Sequence, residues 1–156
     1  MGEREGVRPA AALAFALIGY LALAICALGI TSLVTGREVV DAPGAGQVPG
    51  IVGMATSVVL VGVALWIMLR AAHPSYLAAL VAAVAAFLGY VVGLCIGAVF
   101  AGIDAALLGA AVGSFVLSWF AVVLAGAGAV AGWVAVALVR TRSARPRWPW
   151  ESDEDE

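Results

Sequence analysis

The 156-residue sequence contains no lysine and no asparagine, and only 12% of its residues are charged. A soluble domain carries about 25% charged residues, and a soluble chain of this size needs more charge than this to cover its surface. Hydrophobic residues make up 64% of the sequence, and its mean hydropathy is +1.09. The shortage of charge excludes an ordinary soluble domain and indicates a protein surrounded by lipid.

Side chains that carry chemistry are also scarce. The single histidine, His73, cannot form a metal site without partners. Cys26 and Cys95 have no C-x-x-C spacing, which predicts free thiols buried as small apolar side chains. The sequence holds no Ser–His–Asp set, phosphate loop, carboxylate pair or basic nucleic-acid patch. We therefore expect no enzymatic activity, no cofactor, no metal and no nucleic-acid partner, and no small-molecule substrate can be identified.

The apolar residues fall into stretches long enough to cross a membrane, which requires roughly 20 residues each. The predicted spans cover residues 9–34, 51–69, 77–101 and 114–139, with a reversal over 102–113. The predicted fold is an all-α integral membrane protein, a four-helix transmembrane bundle with short loops over residues 9–139. Residues 1–8 form an N-terminal segment, and residues 140–156 form a C-terminal tail.

The arginines predict the orientation, because basic residues beside spans favour the cytoplasmic side. Four spans place both termini on one side. That side holds seven of the eight basic residues, while Arg37 lies alone on the other. Arginine without lysine or asparagine, in a chain rich in alanine, glycine and valine, favours a GC-rich bacterial genome. We expect a multi-pass protein of the bacterial cytoplasmic (inner) membrane with both termini in the cytoplasm.

The C-terminal tail changes character three times. It begins with arginines that predict a stop-transfer anchor, continues with tryptophans that favour the headgroup layer, and ends with five acids in the last six residues. The predicted anchor consists of Arg140, Arg142, Arg145, Arg147, Trp148 and Trp150. We expect a disordered acidic end in the cytoplasm. Two roles remain open for this tail, namely a topology anchor or a docking peptide for a basic partner surface.

Small residues recur at four-residue spacing, which aligns them on one helix face. The predicted helix-packing residues are Gly89, Gly93, Gly97 and Ala101 in the third span, and Gly128 and Gly132 in the fourth. In lipid, such a glycine zipper favours close helix contact. The contact lies either inside the bundle or with another subunit. A weak repeat at an offset of 70 residues, which aligns LIGY at 17–20 with FLGY at 87–90, leaves a duplication open.

Few polar side chains fall inside the apolar region. Asp104 is the only acid between residues 51 and 139. It either serves a cation or proton on an external path or marks a helix end, and we favour the helix end. Tyr20 and Tyr90 each need a hydrogen-bond partner for a buried hydroxyl. The candidates are Thr56, Ser57 and Ser118.

Two functional hypotheses follow. The first is a non-catalytic accessory, assembly or interaction subunit of a membrane complex. The second is a small homo-oligomeric pore or transporter packed through the glycine-rich face. The shortage of polar residues to line a pathway favours the first. A four-span multidrug carrier is disfavoured, because such carriers have an acid in their first span and residues 10–34 contain none. The expected partners are the lipid bilayer and either another membrane protein or further copies of this chain.

Overall fold

The computed structural model describes residues 9–39, 46–70 and 75–140. In these ranges the chain is all-helical and forms five helices. They are α1 (Pro9–Thr35), α2 (Val48–Leu69), α3 (Leu77–Phe100), α4 (Ala105–Val116) and α5 (Trp119–Arg140). Four of them, α1, α2, α3 and α5, are long and apolar enough to cross a membrane. The prediction of an all-α protein with four long apolar helices is therefore confirmed.

The fifth helix, α4, lies in the segment that the sequence assigned to a simple reversal. The fourth long helix begins at Trp119 and not at Ser114, because the chain leaves the helical path at residues 117–118. There the Ser118 backbone N–H and its hydroxyl both donate to the Phe115 carbonyl, at 3.0 and 2.6 Å. A serine hydroxyl that bonds a carbonyl of the preceding turn competes with regular helix continuation. The apolar run from 105 to 140 is thus divided into a 12-residue and a 22-residue helix.

Glycines with positive φ end two of the long helices. Gly36 (φ +64°) follows α1, and its N–H donates to the Ser32 carbonyl at 2.8 Å. Gly102 (φ +68°) follows α3 in a Schellman motif, in which Ile103 N–H reaches the Ala98 carbonyl at 3.0 Å and Gly102 N–H reaches the Val99 carbonyl at 3.1 Å. Such bonds satisfy carbonyls that would otherwise lack a partner at the helix end. At the other end of a helix, Pro49 lies in the first turn of α2, where its missing N–H costs no hydrogen bond.

The long helices pack in a ring, in which α2 and α3 make the most extensive contact. Helix α5 packs against α3 and α1, while α1 and α2 touch less. The largest side chains that are fully enclosed come from all of these helices and from α4: Tyr20, Val61, Leu65, Leu94, Phe115, Leu124 and Val136. Phe115 of α4 stacks on Tyr90 of α3, with ring centroids 4.6 Å apart. Side chains therefore fill the centre of the bundle.

Candidate functional site

The three glycines of α3 lie directly against α2. A Cβ built on Gly89 would come within 2.7 Å of the Ser57 Cα, and one on Gly93 within 2.6 Å of the Val52 carbonyl oxygen. On Gly97 it would lie 2.7 Å from the Pro49 Cα. Real Cβ atoms essentially never approach other atoms below 3.0 Å. Glycine at these positions is what allows the two backbones to approach so closely.

The glycine pair of α5 makes the equivalent contact on α3. A Cβ on Gly128 would lie 2.7 Å from the Ala82 carbonyl oxygen, and one on Gly132 would lie 2.7 Å from the Ala78 carbonyl oxygen. Ala101, the fourth member of the predicted series in the third span, does not share a contact. It is exposed at the C-cap of α3, because the helix has already ended there. The glycine-rich faces of α3 and α5 are thus occupied within the chain.

A buried chain of hydrogen bonds links the first three long helices. The Ser57 hydroxyl of α2 donates to the Ala86 carbonyl of α3 at 2.8 Å. Since a serine has one hydroxyl proton, the Tyr20 hydroxyl of α1 donates in the 2.5 Å bond that joins it to Ser57 Oγ. The prediction that Ser57 partners a buried tyrosine is confirmed for Tyr20.

The other predicted hydroxyl partners do not bond a tyrosine. Thr56 donates to the Val52 carbonyl at 2.8 Å, and Ser118 donates to Phe115, so both are satisfied within their own segments. Among the residues that the structure describes, Tyr90 has no hydrogen-bond partner for its hydroxyl, although its ring is buried. The Tyr20 hydroxyl is therefore hydrogen-bonded within the described residues and the Tyr90 hydroxyl is not, although the two tyrosines have similar sequence surroundings.

Two span-ending arginines lie over aromatic rings. The Arg70 guanidinium carbon is 4.1 Å from the Trp66 ring centroid, and that of Arg140 is 5.1 Å from the Tyr76 ring centroid. Both are cation–π contacts, and they lie where α2 and α5 end and α3 begins. Of the predicted anchor residues only Arg140 lies within the described ranges. Arg142, Arg145, Arg147, Trp148 and Trp150 lie outside them.

Asp104 is exposed and occupies the N-cap of α4, where its side chain makes no capping bond. Its backbone carbonyl accepts the Leu108 N–H at 2.9 Å. Cys26 and Cys95 are free thiols. Cys95 is partly enclosed, but Cys26 is exposed, so its predicted burial is wrong; it lies on the α1 surface that faces away from the other helices.

Within the described part of the chain, no three His, Cys, Asp or Glu side chains group as metal ligands. His73 lies outside the described residues. Glu38 and Gln47 border a cavity near the connection between α1 and α2, together with Tyr90. No sequence motif connects these residues, since Tyr90 of α3 lies far along the chain from the other two.

The four long apolar helices place this chain among α-helical membrane proteins. It belongs to a family of unknown function, DUF6121, whose model matches residues 3–156. Neither the curated proteins nor the solved structures that were compared with it contain a match.

Proposed function

We propose that this protein is a non-catalytic accessory or assembly subunit that binds a larger membrane protein. It crosses the bacterial cytoplasmic membrane four times with both termini in the cytoplasm. The observation that carries this proposal is that the close glycine contacts are already used between α2, α3 and α5. None of the contacts below 3.0 Å at these glycines involves α1.

Helix α1 is the least enclosed of the four long helices. In its most apolar stretch 17% of the residues are buried, against 39% for α5. Its buried residues Ala12, Ala16, Tyr20 and Ala24 all lie on one side. The outer face of α1, formed by Phe15, Ile18 and Leu33, is exposed along the whole helix. Gly29 on the same face has nothing within 4 Å of a built Cβ, so another helix can approach it closely.

The partner surface can be mapped by photo-crosslinking in intact cells. A photo-crosslinking amino acid replaces Ile18 on the outer face of α1, where the side chain is 68% exposed. The matched control carries it at Val122 of α5, which is 60% exposed. We expect Ile18 to crosslink to a different, larger membrane protein at least about fivefold more than Val122, because a partner helix excludes lipid from one face only. Mass spectrometry of the adducts identifies the partner.

The homo-oligomeric pore predicts a different result. In that case the adducts are dimers of this chain, and the purified protein makes vesicles leak ions or small solutes. The structure favours this alternative less, because its glycine-rich face is occupied and the bundle centre is filled. Equal crosslinking at Ile18 and Val122, or self-adducts alone, contradicts the accessory role.

The proposed topology makes a second prediction. In a chain with Cys26→Ala and Cys95→Ala, single cysteines are introduced as Asp104→Cys and Ser75→Cys, both at exposed positions. Asp104 follows α3 and Ser75 precedes it, so they lie at opposite ends of that helix. We expect a charged maleimide, which does not cross the membrane, to label Asp104→Cys in intact cells. Ser75→Cys should react only after lysis, and the reverse pattern contradicts cytoplasmic termini.

A further inference from the structure

A cavity of about 340 Å³ lies between the C-terminal part of α1 and the first turns of α2. Its apolar walls include Ile25 and Leu28 of α1 and Ile51 and Met54 of α2. Ile25 and Ile51 are 59% and 63% exposed, so they form a rim on the outer surface of the bundle. In a membrane this rim opens toward hydrocarbon, and an occupant can enter from the bilayer.

Among the described residues that line the cavity, Glu38, Gln47 and Tyr90 have polar side chains. Glu38 and Gln47 belong to the connection between α1 and α2, and both are exposed. Tyr90 lies ten residues before Phe100, the end of α3, which is about 15 Å deeper at the rise of an α-helix. The cavity therefore has a charged end at the membrane surface, apolar walls, and one hydroxyl at depth.

Tyr90 gives the strongest indication of a ligand. It is only 3% exposed, and its ring is held between Phe115, at 4.6 Å between centroids, and Gly53, whose built Cβ would lie 3.2 Å from the ring. Its hydroxyl bonds no described residue. No fully enclosed side-chain oxygen of the described residues lacks a hydrogen-bond partner, so the Tyr90 hydroxyl is open to the cavity that Tyr90 borders. A hydrogen-bond acceptor in the cavity can therefore pair with it.

The charge of Glu38 limits which ligands the cavity can bind. Glu38 makes no ion pair with a described residue, and it favours an ammonium group that can donate hydrogen bonds to its carboxylate. An ammonium group at the surface, with an apolar tail below, describes an amine-bearing membrane lipid.

We propose that this cavity binds one phospholipid with a primary-amine head group. Its ammonium pairs with Glu38 beside Gln47, and a glycerol ester carbonyl accepts the hydrogen bond of Tyr90. An acyl chain lies along Ile25, Leu28, Ile51 and Met54. The proposed lipid site does not depend on the proposed accessory function, because all the residues that form it belong to this chain.

Native mass spectrometry of the full-length protein in mild detergent tests the proposal. The probes are phosphatidylethanolamine, phosphatidylcholine, which lacks an N–H, and phosphatidylglycerol, which lacks the amine. We expect phosphatidylethanolamine to bind at least about fivefold more tightly than either of the others, the preference expected of a charged hydrogen bond. Glu38→Gln should abolish that preference, and its position in the connection leaves the helices intact.

The contribution of the Tyr90 hydroxyl to lipid binding is tested separately. Tyr90→Phe keeps the stacked ring and should weaken phosphatidylethanolamine binding about fivefold, the effect of one lost hydrogen bond. The matched control, Tyr76→Phe, changes an exposed tyrosine that does not line the cavity and should bind as the unaltered protein does. Equal affinity for the three lipids, a preference for phosphatidylglycerol, or unaltered preference in Glu38→Gln overturns the proposal. If Tyr90→Phe binds phosphatidylethanolamine as tightly as the unaltered protein does, the Tyr90 hydroxyl does not contact the lipid. That result overturns the placement of the lipid.

Discussion

Gly93→Ala is expected to lower the free energy of unfolding by about 2–3 kcal/mol, the upper range for an overpacked core. The new methyl group would lie 2.6 Å from the Val52 carbonyl oxygen and 2.7 Å from the Gly53 Cα. Both are backbone atoms, so no side chain can rotate to make room. Helices α2 and α3 must separate, and their contact is the most extensive in the bundle. Unfolding in mixed detergent micelles, followed by far-ultraviolet circular dichroism, measures the change.

Gly126→Ala is the matched control for this substitution. Gly126 is also a mid-helix glycine, but nothing lies within 4 Å of a Cβ built on it. The same chemical change there should leave stability unaltered or raise it by up to about 1 kcal/mol, because alanine favours a helix more than glycine does. If both variants lose the same stability, the close approach of α2 and α3 is not what requires glycine at Gly93.

Ser57→Ala is expected to lower the free energy of unfolding by about 1–3 kcal/mol, because it leaves the buried Tyr20 hydroxyl without a partner. It also removes the 2.8 Å bond to the Ala86 carbonyl, and the bilayer core holds no water to replace either bond. Ser114→Ala is the control, since that hydroxyl bonds only the Ala111 carbonyl of its own helix. The same unfolding measurement compares the two variants.

A double-mutant cycle with Tyr20→Phe tests whether the two hydroxyls act together. Tyr20→Phe removes the group that Ser57→Ala leaves unsatisfied, so the double variant should lose less stability than the sum of the single variants. Additive losses would mean that the Tyr20 hydroxyl finds another partner when Ser57 is replaced. That outcome contradicts a role for this bond in holding α1 against α2.

The sequence predicted the long helices well because lipid imposes a simple demand on each span. About 20 apolar residues are required whatever the helix packs against, so hydropathy alone identifies them. The division of α4 from α5 was not predicted. Residues 105–139 include no charged side chain, and the break coincides with two hydrogen bonds from Ser118 to the Phe115 carbonyl, which hydropathy does not reveal.

The candidate sites were predicted less completely, because they depend on how helices meet. The spacing of Gly89, Gly93 and Gly97 indicates a close contact but not the helix that receives it. Tyr20 and Ser57 lie 37 residues apart, and only their matched depth in the bundle makes them partners. The cavity beside Tyr90 is lined by residues of α1, α2, their connection and α3, and hydropathy does not encode which of them come together.

The use of glycine and alanine where α3 meets α2 and α5 has a thermodynamic consequence. Neither residue has side-chain rotamers to lose when it becomes enclosed, whereas an ordered methionine or glutamine forfeits up to about 2 kcal/mol of conformational entropy. The backbone order is already established when each segment becomes helical in the bilayer. At these glycine and alanine positions, helix docking therefore carries almost no entropic cost from the side chains, and the closely apposed backbones gain dispersion energy.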